Sequence, residues 1–201
     1  MRAHPHYNPF NVREPSERPD WREIFVDNRP LDLEIGFSTG HWLLQYAKTF
    51  PERDIVGLEI RSKFIEYARR KIAAENLPNA YVLQANANTA LKELFAPQSL
   101  SRAVIMFPDP WYKPRHLKRR VVTPGFLTGL AECLRPGAEV HIATDRQGLA
   151  EDMLADLMSA PEYRNKYADY APQNFPGIVT DIERYNIERG KRIYRLVFVR
   201  Q

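Results

Sequence analysis

Two prolines bracket one aspartate in Phe107-Pro108-Asp109-Pro110-Trp111, directly after the apolar run 102–107. Proline fixes its own φ and restricts the residue before it, so the loop is stiff. A stiff loop holds the Asp109 carboxylate in one direction, which suits a catalytic or ligand-orienting group. From Lys113 to Arg120 there are five Lys or Arg and no acid. Lys113, Arg115, His116, Lys118, Arg119 and Arg120 suit the phosphates of a nucleic acid, and Trp111 offers a face for base stacking. A solvated charged loop is the plainer alternative. The net charge of the whole chain is only +4. The octet accounts for more than all of it, which points to a local anion site on a neutral body.

Four further stretches carry candidate chemistry. In Glu34-Ile35-Gly36-Phe37-Ser38-Thr39-Gly40, the glycines Gly36 and Gly40 allow a tight turn and close approach to a ligand. The spacing is not G-x-G-x-x-G, which disfavours a dinucleotide pyrophosphate. Glu34 ahead of the turn suits a cation or an amino group; an ordinary turn packed on glycines is the alternative. Glu59 closes the run 55–59, where an acid accepts hydrogen bonds from both hydroxyls of a ribose or caps the next helix. Asn86 and Ala87 follow the third apolar run, where an amide and backbone groups can read an adenine edge; taken alone, Asn86 reads as a turn residue. Asp145 follows the fifth run and competes with a plain N-cap role for a helix starting at Arg146. Thr180-Asp181-Ile182-Glu183 is a capping box opening a helix that stops at Gly190. Its free N–H groups also form a polar binding edge.

These residues need a frame. Short apolar runs at 31–35, 54–60, 80–85, 102–107 and 138–143 alternate with segments of helical spacing at 41–50, 61–75, 90–95 and 126–134. A further helix is marked by Leu149, Met153, Leu157 and Met158. Strands alternating with helices give an α/β fold, a doubly wound parallel sheet with helices on both faces. A last apolar strand spans 192–199, and the segment 161–180 carries no clear pattern. Candidate ligand residues then fall at the carboxyl ends of strands, where such sheets bind ligands.

Residues 1–30 carry five prolines and read as an extended N-terminal arm with at most a short helix near 21–25; residues 31–201 read as the body. Tyr7, Phe10, Trp21 and Phe25 either pin the arm to the body or meet a partner. Several classes drop out. A single cysteine excludes an intramolecular disulfide framework, and five histidines show no metal-ligand spacing. No apolar run approaches the ~20 residues of a bilayer span, and the polar start is not a signal peptide. A cytoplasmic protein is expected.

Taken together, these stretches resemble the bacterial tRNA (guanine-N7)-methyltransferases, the TrmB family. The similarity lies in Phe-Pro-Asp-Pro-Trp-x-Lys at 107–113, Arg-His-x-Lys-Arg-Arg at 115–120, the Glu-Ile-Gly turn and Glu59. Thr144-Asp145, the late Thr-x-x-Glu, Gly190 and Ile-Tyr-Arg-Leu at 193–196 follow in the family's order. The resemblance covers about residues 31 to 199 and implies a Rossmann-like class I methyltransferase with a seven-stranded, mostly parallel sheet whose last strand is antiparallel. It implies S-adenosylmethionine as donor and N7 of guanine at position 46, in the variable loop of tRNA, as acceptor. It places Glu34, Gly36, Gly40, Glu59, Asn86, Ala87 and Asp109 at the cofactor, with Asp109 also catalytic. It places Lys113, Asp145, Thr180 and Glu183 at the guanine, and Arg115, His116, Lys118, Arg119 and Arg120 on tRNA. No metal and no membrane enter, and a monomer or a homodimer fits. Ser38 stands where many members have glycine, Asn86 where aspartate is common, and Tyr112 where proline or histidine is usual. Another RNA or small-molecule substrate, or a non-catalytic RNA-binding protein on the same fold, are the competing readings. A small-molecule enzyme gives no reason for the basic octet, and the intact Asp109 and Lys113 argue against a non-catalytic chain.

Overall fold

The computed structural model describes residues 8–12, 18–25, 27–172 and 177–201. Seven strands form one sheet: β1 Leu31–Ile35, β2 Asp54–Glu59, β3 Ala80–Gln84, β4 Leu100–Met106, β5 Leu134–Thr144, β6 Tyr163–Asn165 and β7 Tyr194–Arg200. Their order is β3-β2-β1-β4-β5-β7-β6. Only β7 runs against its neighbours, pairing antiparallel with β5 and β6. The strands β1 and β2 are buried along their whole length, as central parallel strands are when helices cover both faces. Strand order reverses between β1 and β4, which opens a crevice at their carboxyl ends.

The helices are α1 Trp21–Ile24, α2 His41–Thr49, α3 Ser62–Ala74, α4 Ala87–Leu94, α5 Pro124–Cys133, α6 Gln147–Ser159 and α7 Asp181–Ile187. One apolar core joins α4, α5 and α6 to Leu33, Ile35, Ile105, Ile142 and Phe198 of the sheet. The other joins α2 and α3 to Ile55, Val82 and Val104. Gly57 sets how closely α2 approaches: a Cβ there would stand 2.5 Å from Leu43 Cδ1 and 2.6 Å from Phe37 Cδ1. The absent side chain lets the turn after β1 lie flat on β2.

Asp32 is a charge buried in β1. It is answered by Arg53, whose Nε and Nη2 donate at 2.6 and 2.7 Å, by the Tyr46 hydroxyl at 2.5 Å, and by Arg102. Such pairing is what makes a buried carboxylate tolerable.

The sequence pattern places most elements within a few residues. α4 starts at Ala87 rather than near Ala90, because Asn86 caps it by accepting from the Asn88 N–H. β5 begins at Leu134 and not at 138, and the unassigned stretch 161–180 contains β6. α7 ends at Ile187, short of the expected Gly190. Gly190 closes the turn beyond it at φ 67°, and the Lys191 N–H reaches back to Asn186 O.

The short helix expected near 21–25 is α1, capped by Asp20. Trp21 stacks on Phe95 at 5.4 Å and donates its indole N–H to Leu94 O at 2.8 Å. Phe25 is buried, so this part of the arm is pinned to the body. Tyr7 and the Phe10 side chain lie outside the described residues. No described helix is long and apolar enough to cross a membrane.

Candidate active site

A pocket opens at the carboxyl ends of β1 to β4. Gly36, Glu59, Asn86, Ala87 and Asp109 all line it, as the sequence pattern expects. Pro9, Arg61 and Asn88, which carry no signal in spacing alone, line it too, as do Trp111 and Arg119, which the sequence pattern assigns to a nucleic acid instead. Ile35, Leu58, Ile60, Ile105 and Val121 supply apolar wall.

The turn after β1 is built from left-handed residues. Gly36 has φ 78°, Ser38 φ 52° and Gly40 φ 76°. Serine at φ 52° is strained where glycine would not be. The Ser38 N–H donates to Glu59 Oε2 at 3.0 Å, which holds the turn against the end of β2. Gly40 is the N-cap of α2 and does not reach the pocket wall.

Glu59 is heavily engaged. Its Oε1 accepts from the N–H groups of Ile60 and Arg61 and from Arg61 Nε; its Oε2 also meets Arg61 Nη2 at 3.3 Å. It therefore orients the start of α3 and faces the pocket at once. A ribose there would share this carboxylate with the Arg61 guanidinium.

Glu34 stands behind the turn, fully buried, and is not part of the pocket wall. Burial, helped by the charge of Glu59, raises its pKa to about 8. Its Oε2 has no hydrogen-bond partner among the described residues. A buried carboxyl with an unmet oxygen behind a glycine turn is suited to an ammonium group.

Asn86 corrects the picture of a turn residue. Its Oδ1 caps α4, and its Nδ2 donates to Pro9 O at 3.3 Å. The N-terminal segment thus occupies the amide expected to read an adenine edge.

The Asp109 loop is strained on both sides, with φ 52° at Phe107 and 41° at Trp111. Such conformations cost of order 1–3 kcal/mol each and persist where the surroundings hold them. The Phe107 N–H donates to Ala143 O at 2.8 Å, which ties the loop to β5. Trp111 is buried, with the Arg119 guanidinium 5.1 Å over its ring and His116 edge-on at 5.6 Å. The expectation of an open stacking face at Trp111 is therefore corrected: the ring is buried, with Arg119 over it and His116 at its edge.

The basic run does not act as one patch. Lys113, Arg115 and Lys118 are exposed and His116 is half-buried. Arg119 turns into the pocket, where its Nε has no hydrogen-bond partner among the described residues. Arg120 braces the loop, donating from Nε to Pro110 O at 3.0 Å and from Nη1 to Asp152 at 2.6 Å.

Lys113, Asp145, Thr180 and Glu183 stand outside the pocket wall. Asp145 is not the N-cap of α6; Arg146 is, and the Thr144 hydroxyl accepts the Arg146 N–H. Asp145 faces Arg146 at 3.6 Å and Lys191 at 4.0 Å. The expected capping box is half formed. Thr180 Oγ1 accepts the Glu183 N–H at 3.1 Å, but the Glu183 carboxylate turns to Arg195 at 2.5 Å. Glu183 is fully buried, and its Oε2 has no partner among the described residues. Arg195 was visible only as the third residue of Ile-Tyr-Arg-Leu. Asp181 lies 3.5 Å from His41, linking α7 to the start of α2. Among the described residues, no cluster of three or more His, Cys, Asp or Glu could hold a metal ion.

A seven-stranded sheet with one reversed strand, and a glycine turn, strand-end acid and Asp109 around one pocket, define a class I methyltransferase. The fold matches the 16S rRNA methyltransferase KamB at TM-score 0.68 and 21% identity, covering 92% of this chain and 96% of that one. It matches a SAM-dependent methyltransferase from Aquifex aeolicus at TM-score 0.58 and 14% identity, covering 90% and 87%. The Methyltransf_4 family model, described as "Putative methyltransferase", matches residues 28–196. A tRNA (guanine-N(7)-)-methyltransferase from Burkholderia ambifaria is 39% identical over 189 residues, 94% of this chain and 74% of the relative. A protein of the same description from Synechococcus sp. (strain JA-3-3Ab) is 37% identical over 198 residues, covering 97% and 84%. The chain belongs to the tRNA (guanine-N7)-methyltransferase family. It is an enzyme, a methyltransferase.

Proposed function

We propose that this chain methylates N7 of guanine at position 46, in the variable loop of tRNA, with residues 31–201 as the catalytic domain and 1–30 as its arm. The observation that carries this reading is the placement of Asp109: exposed, on a strained Pro-Asp-Pro loop, at the rim of the pocket that Gly36 and Glu59 line. S-adenosylmethionine supplies a methyl group already activated on a sulfonium. Gly36, Glu59, Asn86 and Ala87 hold its nucleoside, and Glu34 lies behind the turn as the carboxyl for its ammonium.

Guanine N7 has an exposed lone pair and no proton to lose, so the chain needs no general base and no metal-activated nucleophile. Its task is alignment of the acceptor with the methyl carbon. The base gains positive charge as the bond forms, and the fixed Asp109 carboxylate stabilises that charge. Asp145, with Lys113 and Thr180, addresses the guanine, and Glu183, buried against Arg195, does so only once that pair opens. Carboxylates accept from its N1–H and amino group, a donor pair that adenine does not present. Arg115, His116 and Lys118 take phosphate, with Arg119 turned toward the pocket and Arg120 holding the loop. The protein works where its tRNA is, in the cytoplasm, as a monomer or a homodimer.

Incubation with unmodified tRNA and labelled cofactor, followed by nucleoside mass spectrometry, tests the reading. The expected product is 7-methylguanosine, lost with Asp109→Ala at unchanged thermal midpoint and lost with a transcript carrying adenosine at position 46. Near-wild-type turnover of the Asp109 variant removes that residue from the mechanism; methylation of the adenosine-46 transcript removes the position.

A further inference from the structure

The stretch from α7 to the start of β7 holds a second concentration of positive charge. Between positions 184 and 192, Arg184, Arg189, Lys191 and Arg192 stand against one acid, Glu188, and all five are exposed; of the two acids earlier in α7, Glu183 is paired with Arg195 and Asp181 faces His41. This excess is hidden in the net charge because acids elsewhere offset it. Among the described residues, no acid forms an ion pair with Arg184, Arg189 or Arg192.

Two of the arginines lie over aromatic rings. The Arg189 guanidinium lies 3.6 Å from the centroid of Tyr185. Arg192 lies 4.9 Å from Tyr194 and 5.7 Å from Tyr170, and these two rings meet edge-on at 5.2 Å. A guanidinium stacked by its face still presents N–H donors in its plane. Stacking restricts the side chain before any ligand arrives, so less freedom is lost when a phosphate is bound. Tyr185 is itself exposed and offers a ring at the surface.

Position gives the patch its meaning. Tyr194 pairs with Thr144 in the sheet, so the stretch ends beside the carboxyl end of β5. Lys191 reaches Asp145, and α7 itself begins with Thr180 as its cap and carries Glu183. The patch is therefore continuous with the residues assigned to the guanine, on the β7 side of Asp145. The 113–118 run follows β4 instead.

We propose that the Arg184–Arg192 face, with Tyr185, is a second tRNA-contact surface. It grips the phosphate backbone on the β7 side of the target guanine, while the 113–118 run grips it on the β4 side. This inference rests on the tRNA reading above. A polyanion is the occupant that the charge selects, and the exposed tyrosine beside the arginines suits a nucleic acid, which carries bases as well as phosphates.

The test uses full-length protein and an unmodified tRNA transcript, with binding measured across a salt series. Arg189→Ala/Arg192→Ala is expected to weaken binding at low salt and to reduce the log–log salt slope by roughly 1.5, the loss of two phosphate contacts. Arg189→Lys/Arg192→Lys is expected to restore the slope. Thermal midpoint and cofactor affinity are expected to match the wild type in both variants, since neither residue touches core or pocket. A wild-type slope in the alanine variant, while the wild-type enzyme still forms 7-methylguanosine, overturns the surface and spares the substrate reading. A changed sedimentation coefficient of the free variant with an unchanged slope also overturns it, making the face a contact between copies. Failure of the wild type to form 7-methylguanosine overturns the substrate reading, and this inference with it.

Discussion

The proposed role of Glu34 as the carboxyl for the cofactor's ammonium makes cofactor binding a proton-linked event. The carboxyl is buried behind the glycine turn with one oxygen unmet, and burial together with Glu59 lifts its pKa to about 8. In the free protein it therefore carries a proton at neutral pH. An ammonium drawn to it favours the ionised form and lowers the pKa in the complex. Binding then releases a proton, and affinity rises with pH until the free-state pKa is passed. Between pH 5.5 and 7, if the bound-state pKa lies below this window, the ionised fraction of the free carboxyl increases about 30-fold, and the association constant rises with it. This window stays below the titration of a ligand α-amino group, near 7.7–8.0, which would oppose the trend. Titration calorimetry with S-adenosylmethionine in buffers of different ionisation enthalpy reads both the affinity and the proton released. Glu34→Gln is expected to bind more weakly at pH 7 and to lose the pH dependence. A flat or falling wild-type profile, or a Gln variant with the wild-type slope, refutes the reasoning. The same shift acts on folding with the opposite sense for stability. A carboxyl whose folded pKa lies above its unfolded value makes the free protein less stable as pH rises from about 4.5 to 8. Glu34→Gln is accordingly expected to raise the thermal midpoint of the free protein at pH 8 and to leave it nearly unchanged at pH 4.5.

Other perturbations test the frame around the site. Trp21→Ala removes the stack on Phe95 and the bond to Leu94 O, and is expected to cost about 2–4 kcal/mol in urea denaturation. An unchanged midpoint would mean that the arm is not part of the folded unit. Gly57→Ala forces a Cβ to 2.5 Å from Leu43 and is expected to cost about 1–3 kcal/mol. A neutral result would show that α2 can retreat freely from β2. Asp32→Ala leaves Arg53, Arg102 and Tyr46 without their common acceptor, with an expected loss of about 3–5 kcal/mol by thermal or chemical unfolding. Arg120→Ala frees Pro110 O and loosens the Asp109 loop; kcat is expected to fall while cofactor affinity holds. A fall in affinity alone would place Arg120 at the cofactor instead.

The order of apolar runs and helical spacings was enough to announce an α/β sheet, because β1, β2, most of β4 and the later part of β5 are buried and their composition shows it. The strand-end positions of Gly36, Glu59, Asn86 and Asp109 were legible for the same reason: once strands are placed, their carboxyl ends are placed. The Pro-Asp-Pro loop and the capping threonine are local chemistry, written in adjacent residues. What spacing does not hold is the direction in which side chains leave the backbone, or who meets them from far along the chain. Trp111, expected as an open stacking surface, is buried with Arg119 over its ring. One basic octet divided into exposed cations, a pocket wall at Arg119 and a brace at Arg120, since its turn sends neighbours to different sides. Pro9 came to Asn86 and Arg195 came to Glu183 across long and short loops that no pattern links. The second basic face was invisible as a charge count, because the chain average cancels it and only the fold brings Lys191 to Asp145 and Arg192 onto Tyr170 and Tyr194. Local types and periods determined the elements and the chemistry available; long-range contact decided which of those groups face a ligand, which brace the site and which hold the fold.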